Sequence, residues 1–164
     1  MPSRRKTREF VLQVLFAADA RNEDPTETLP FLESHFDSNQ DEDLNMYRVI
    51  RDFARDLVGV VSVDYKVIDK LISHLSHNWK LTRISRVDRN ILRMAIADFT
   101  HFHDVPGKVI LNEAIEIGKK YGAENSASFI NGILDRIHVL ERRPSSASEL
   151  WELLDRLDES DSKG

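Results

Sequence analysis

Cysteine is absent from all 164 residues. Disulfide frameworks, thiolate catalysis and cysteine-held zinc or iron are therefore excluded together. No apolar run approaches the roughly 20 residues that a membrane-spanning helix needs. Glycine is scarce, six residues in all, and Gly107-Lys108 stands without the further glycines of a phosphate-cradling loop. The histidine pairs His74 with His77 and His101 with His103 lack a third ligand at metal-site spacing. Glu113 and Glu116 share a helix face without a defined cleft, and no nucleophile stands beside a base. No metal, no cofactor and no enzymatic activity are expected.

What remains is a chain of 41% hydrophobic and 31% charged residues with net charge −5, the composition of a globular protein with a real core. Charge is unevenly placed. The opening stretch SRRKTREFVLQVLF (residues 3–16) carries Arg4, Arg5, Lys6 and Arg8 before its first acid. Residues 1–8 hold four of the 23 Lys and Arg and none of the 28 Asp and Glu. Such a local patch attracts phosphates even on an acidic protein, because distant exposed charges are screened beyond ~8 Å at physiological salt. The basic start, the apolar run and Ala18-Asp19-Ala20 imitate a signal peptide. Glu9 and Gln13 interrupt the apolar region, and the reading is a cytoplasmic protein.

Apolar residues recur at three and four, not two, which predicts helices throughout and an all-α fold. The first helix is expected over about 3–21. Asp24-Pro25-Thr26-Glu27 supplies a cap, a first-position proline and a capping acid, and Pro30 restarts or kinks that second helix. Residues 37–43 are a polar connection. A third stripe runs Leu44, Tyr47, Ile50, Phe53, Leu57, Val61. Ser62 or Asp64 starts a fourth helix with Val67, Ile68, Leu71, Ile72 and Leu75 facing inward, and Val87, Ile91, Ala95 and Phe99 mark a fifth. Pro106 opens a sixth that Gly122 closes, and Asn125 or Ser126 caps a seventh with Phe129, Ile130, Ile133, Leu134 and Ile137. The reading is about seven helices in residues 1–140. Residues 141–164 form a linker, an acidic amphipathic helix with Leu150, Leu153, Leu154 and Leu157 in its stripe and a Ser146–Glu149 capping box, and a disordered end at 160–164.

On a wheel at about 100° per residue, Phe10, Val11, Leu12, Val14 and Leu15 of the first helix form one apolar arc. Arg4 and Arg8 fall on the meridian of that arc. The simplest resolution is a helix overhanging its bundle by one or two turns, with the arginines free to meet phosphate through their planar forks. Cations at a helix N-terminus are mildly unfavourable, so something other than helix stability must account for them.

Three motifs, TREFVLQVLFAAD (7–19), RVDRNILRMAIADF (86–99) and VPGKVILNEAIEIGKKYGAENSASFINGILDRI (105–137), resemble the bacterial NusB transcription-antitermination family in the family's own order. The resemblance implies two packed helical subdomains and a non-enzymatic factor. It implies binding to boxA elements of single-stranded nascent RNA, notably in ribosomal RNA operons, as a heterodimer with the ribosomal protein NusE within an RNA polymerase antitermination complex. It carries RNA contact onto Arg4, Arg5, Lys6 and Arg8 and onto the stretch around Ser126, Phe129 and Asn131, and NusE contact onto Phe16 and Asp88. The family usually ends near His138, so residues 141–164 inherit no role from it. Some relatives pair as homodimers, and a homodimeric helical protein-interaction scaffold is the competing reading.

Individual residues stay open between two readings. Phe129 is either a base-stacking aromatic or a core residue of its stripe. Asn112 and Glu113 read as structural, with Asn112 buried. Gly132 suggests close helix–helix approach. The acidic final helix is expected to fold back near Arg4–Arg8 and compete with RNA, to mediate self-association, or to be passive.

Overall fold

The structure, a computed structural model, describes residues 2–37, 44–77, 79–140 and 143–162. Among them run eight α-helices: α1 Pro2–Arg21, α2 Pro25–Asp37, α3 Leu44–Val63, α4 Tyr65–Leu75, α5 Arg86–His101, α6 Gly107–Tyr121, α7 Ser126–His138 and α8 Ala147–Ser162, with a 3-10 turn at Leu81–Arg83. The all-α expectation holds. Most of the polar connection at 37–43, and the side chains of Leu44 and Tyr47, lie outside the described residues, as do residues 163 and 164.

Helices α1, α2 and α3 pack on one another, α6 packs on α5 and α7, and α5 also lies against α1 and α3. These are the two helical subdomains, and α5 joins them. Every residue from Asn90 to Thr100 is buried, the condition of a helix enclosed on all sides. One continuous apolar cluster runs from Phe10 to Leu154. The stripes read from spacing fill it: Ile50, Leu57 and Val61 from α3, Ile68, Leu71, Ile72 and Leu75 from α4, and Ile130, Ile133, Leu134 and Ile137 from α7.

Local chemistry sets the ends. The Asp24 carboxylate accepts from the Thr26 N–H at 2.8 Å and from Ser62 Oγ at 2.8 Å, capping α2 and tying it to α3. Pro30 lies within a continuous α2 instead of restarting it. Asp64 stands at the N-cap of α4 without a side-chain cap bond; its carboxylate meets His101 Nε2 at 3.0 Å. Ser85 caps α5, accepting from the Asp88 N–H. Gly122 does close α6, in an extended conformation; the need there is steric, since an added Cβ would fall 2.3 Å from Ser126 Oγ. Gly118 has the close approach expected of Gly132: its added Cβ would meet Ile130 Cδ1 at 2.8 Å, while Gly132 faces open space.

A partly buried ionic cluster pins α1, α4 and α5 together. Asp19 accepts from Arg89 (2.7 and 2.8 Å), Asn90 (2.8 Å) and Arg93 (2.9 Å), and Arg93 also grips Asp69. Burial alone would raise the Asp19 carboxyl, but hydrogen bonds from Arg89 and Asn90 and the charge of Arg93 outweigh it and hold the pKa at about 2.

The C-terminal helix packs on α4 and α5, not beside Arg4–Arg8. Ala147, Leu150 and Leu154 are buried there, whereas Leu157 of the expected stripe is half exposed. Lys70 Nζ sits 4.1 Å from the Trp151 ring centre, and His74 Nε2 meets Asp158 at 2.7 Å. The Glu149 N–H donates to Ser146 Oγ as a capping box requires, and the Glu149 carboxylate accepts from the N–H of Ser145, the residue before the cap. Helix continues to Ser162 through most of the end expected to be disordered. In the linker, Arg143 donates to the carbonyls of Phe99, Phe102 and Val105 at 2.8, 3.2 and 2.6 Å. It thereby closes the C-terminal end of α5, where carbonyls lack helical partners.

Candidate nucleic-acid interface

The N-terminal cations do not overhang the bundle. Arg8 is 3% exposed, and its Nε donates to Asp98 Oδ2 of α5 at 2.7 Å, with Asp98 itself 1% exposed. Burial pushes the Asp98 carboxyl up, and the charge and hydrogen bond of Arg8 oppose that rise. The Phe53 ring of α3 lies 5.5 Å from the guanidinium carbons of both Arg4 and Arg8. The direction given by the wheel is correct: Arg8 points inward. Its charge is tolerated because α5 places a carboxylate opposite, the condition under which buried ions persist.

Arg4 and Arg5 remain at the surface. Arg4 Nη2 donates to Asp104 at 3.1 Å across the α5–α6 corner. Arg5 grips Glu113 of α6 with Nε and Nη2 at 2.6 and 2.7 Å, a two-bond fork. These guanidinium groups hold the carboxyls of Glu113 and Asp104 below the usual range. Lys6 is exposed beside them. One turn further along α1, Glu9 accepts from Lys120 Nζ and from the Tyr121 hydroxyl, both of α6. The result is a cationic edge whose arginines are held in place by carboxylates and keep solvent-facing area.

The remaining site residues separate. Ser126 is fully buried, and its hydroxyl accepts from the Ala123 N–H at 2.8 Å. It braces the α6–α7 turn, closed off from solvent, while Asn125 holds the N-cap position of α7. Asn131 is exposed, and Phe129 is half-buried, packed against the core from α7. Asn112 is exposed, contrary to the buried role expected of it, while Glu113 is structural through Arg5. Phe16 is 38% exposed and helps line an apolar depression of about 270 Å³ with Leu12, Val87 and Tyr121; Arg86 lies over its ring. Asp88 is buried at the start of α5, one carboxylate oxygen without a partner.

Sequence reasoning missed Asp98 and Asp104, and it read Phe53 as a stripe residue of α3 without its place beneath Arg4 and Arg8. For Asp98 a signal existed: it is the acid inside MAIADF, a run whose other members are all buried. For Asp104 no periodicity applies, because it lies in a loop. No cluster of three or more metal-capable side chains occurs among the described residues, and no described helix is long and apolar enough to cross a membrane.

The NusB family model matches residues 5–139. A transcription antitermination protein NusB from Desulforapulum autotrophicum is 43% identical over 141 residues, covering 86% of this chain and 94% of that protein. Its counterpart from Myxococcus xanthus is 40% identical, covering 88% of this chain and the whole of its own length. Among solved structures, T. maritima NusB superposes with a TM-score of 0.73 at 37% identity, covering 91% and 96% of the two chains. A crystal structure of antitermination factors NusB and NusE in complex with dsRNA gives 0.70 at 24% identity, covering 84% and 97%; at that identity the likeness is one of fold.

Proposed function

The chain belongs to the NusB family of transcription antitermination proteins, and from that premise we propose that it is an RNA-binding antitermination factor, not an enzyme, working in the cytoplasm. Residues 1–140 act as the RNA-binding module. They take boxA-containing single-stranded RNA as a heterodimer with NusE and join the RNA polymerase antitermination complex, notably in ribosomal RNA operons. The observation that carries this reading is the cationic edge of Arg4, Arg5 and Lys6. Arg5 commits two donors to Glu113 and a guanidinium has five, so donors remain for phosphate oxygens. Arg8 serves the same site from behind, holding α1 against α5, and makes no phosphate contact. Phe16, with the apolar depression around it, is the proposed contact for NusE. Asp88 supports that surface from beneath.

Binding of a boxA-containing RNA oligonucleotide across a salt series, with and without NusE, tests this. Each phosphate interaction removed should flatten the log–log salt slope by about 0.7 on single-stranded RNA. Arg4→Ala with Arg5→Ala should therefore weaken binding and flatten the slope by about 1 to 2. An unchanged affinity and slope would remove the arginines from the site. A wild-type chain that only self-associates and ignores RNA would favour the homodimeric scaffold instead.

A further inference from the structure

Trp79 stands in the loop between α4 and α5 and is 55% exposed. Its ring lies against that of Phe129 on α7, centroids 6.4 Å apart and planes inclined at 32°, within the range of stabilising aromatic pairs. Phe129 in turn packs on the core. The two rings make a shelf: an inner phenyl anchored to the bundle and an outer indole with more than half its surface open.

The shelf is held in place by its backbone. His77 takes a left-handed conformation (φ 58°) that turns the chain after α4. The Trp79 N–H then donates to the Ser76 carbonyl at 3.3 Å, and Ser73 Oγ donates to the Trp79 carbonyl at 3.1 Å. The segment from Trp79 to Arg83 carries two cations, Lys80 and Arg83, both exposed, and no acid. From α7, Asn131 is exposed two residues beyond Phe129.

Position links this shelf to the cationic edge. Arg5 is bound to Glu113 of α6, and Lys120 and Tyr121 lie about two turns further along that helix, roughly 12 Å on. Gly122 abuts Ser126, the first residue of α7, and Phe129 follows one turn later. Through this tight turn, α6, which holds Arg5, passes directly into α7, which carries Phe129. A sugar–phosphate backbone can follow the cations while an unpaired base lies on a π face, which serves any base.

We propose that Trp79, backed by Phe129, is a stacking site for an unpaired base of the same RNA whose phosphates meet Arg4, Arg5 and Lys6. This rests on the RNA-binding reading above and adds a second, non-ionic contact to it. Lys80 and Arg83 beside the indole favour a polyanion over an acid-poor protein surface.

The chain contains two tryptophans, Trp79 and Trp151, so a Trp151→Phe background isolates the indole of interest. Addition of the boxA-containing oligonucleotide should quench its fluorescence, and an abasic nucleotide at the stacked position should abolish the quench. Trp79→Ala should lower RNA affinity about 5- to 100-fold, the range of one missing base stack. Trp79→Leu, apolar but unable to stack, should weaken binding about as much, while Trp79→Phe should keep most of the affinity. The salt slope should stay at its wild-type value in all three, because every cation that meets a phosphate is still present. Wild-type affinity in Trp79→Ala and Trp79→Leu, with circular dichroism confirming their fold, overturns the inference. So does weakened NusE binding with RNA affinity intact, which would make the shelf a protein contact. In both cases a flattened salt slope in the Arg4→Ala/Arg5→Ala variant leaves the RNA reading standing. Absence of RNA binding by the wild-type chain overturns both.

Discussion

Replacing Arg8 by alanine asks whether this cation belongs to the fold or to the ligand. The Arg8–Asp98 pair is almost fully withdrawn from water, joined by one bond of 2.7 Å, with Arg8 Nη2 and Asp98 Oδ1 left without hydrogen-bond partners. Such a pair gains little over a well-packed apolar replacement, but removing one member strands the other, at a cost of about 3–5 kcal/mol. For a domain of this size each kcal/mol moves the melting temperature by about 2–4 °C. Arg8→Ala should therefore melt about 10 °C lower, by calorimetry or circular dichroism. Burial already pushes the Asp98 carboxyl up, and removing Arg8 removes what opposes that rise. The stranded acid will take a proton more readily than in the wild type. The deficit relative to wild type should accordingly shrink as pH falls. Arg8→Met with Asp98→Leu removes both charges together and should recover most of the stability. That double variant should bind boxA-containing RNA about as well as the wild type, whereas Arg4→Ala with Arg5→Ala should not. Melting of Arg8→Ala within about 1 °C of wild type would refute the buried-pair account. A stable double variant that fails to bind RNA would return Arg8 to the ligand.

The Asp19 cluster predicts acid sensitivity. The folded carboxyl titrates at about 2 against an ordinary 3.8, so its contribution of about 2 kcal/mol is present above pH 3.8 and lost as pH falls toward 2. Urea unfolding of Asp19→Asn should show a deficit of at least that size at pH 7 that closes across this window; a gap independent of pH would contradict the assignment. Deletion of residues 144–164 uncovers the seat of Leu150 and Leu154 on α4 and α5 and should cost about 2–4 kcal/mol after the entropy of ordering the helix is deducted. RNA affinity should be unchanged by that deletion, because α8 sits away from the cationic edge; a rise would show that the acidic helix reaches it.

The architecture was legible because helix-forming signals are local. Periodicity placed the inward residues of α3, α4 and α7, and Asp24, Ser146 and Glu149 marked their helix starts through side chains that bond within three or four residues. What stayed illegible depended on residues far apart in sequence. A wheel states that Arg8 lies on the apolar meridian of α1; it cannot state that residue 98 supplies a carboxylate there. Ser126 carries the composition of a cap, yet Gly122 brings the α6 end so close that its hydroxyl serves the Ala123 N–H instead. Gly132 and Gly118 look alike in sequence, and only the path of Ile130 decides which of them is crowded.

The same distinction decides which of the four N-terminal cations can meet a ligand. Arg4, Arg5 and Arg8 each face a carboxylate, so charge pairing alone does not separate them. Exposure does. The Arg8–Asp98 pair is closed to water, and exchanging Asp98 for a phosphate would leave an unpartnered acid in the core. Arg4–Asp104 is a single bond open to solvent, where a released carboxylate is simply rehydrated and an exposed pair is worth only about 0–1 kcal/mol. Arg5–Glu113 is a firmer two-bond fork on a partly covered carboxylate, but its arginine still faces solvent. An incoming phosphate therefore competes against little at Arg4, and at Arg5 it can use the donors left over while Glu113 keeps the fork oriented. A protein of net charge −5 can in this way keep an arginine edge ready for a polyanion: its nearby acids hold the guanidinium groups in position while leaving them solvent-facing area.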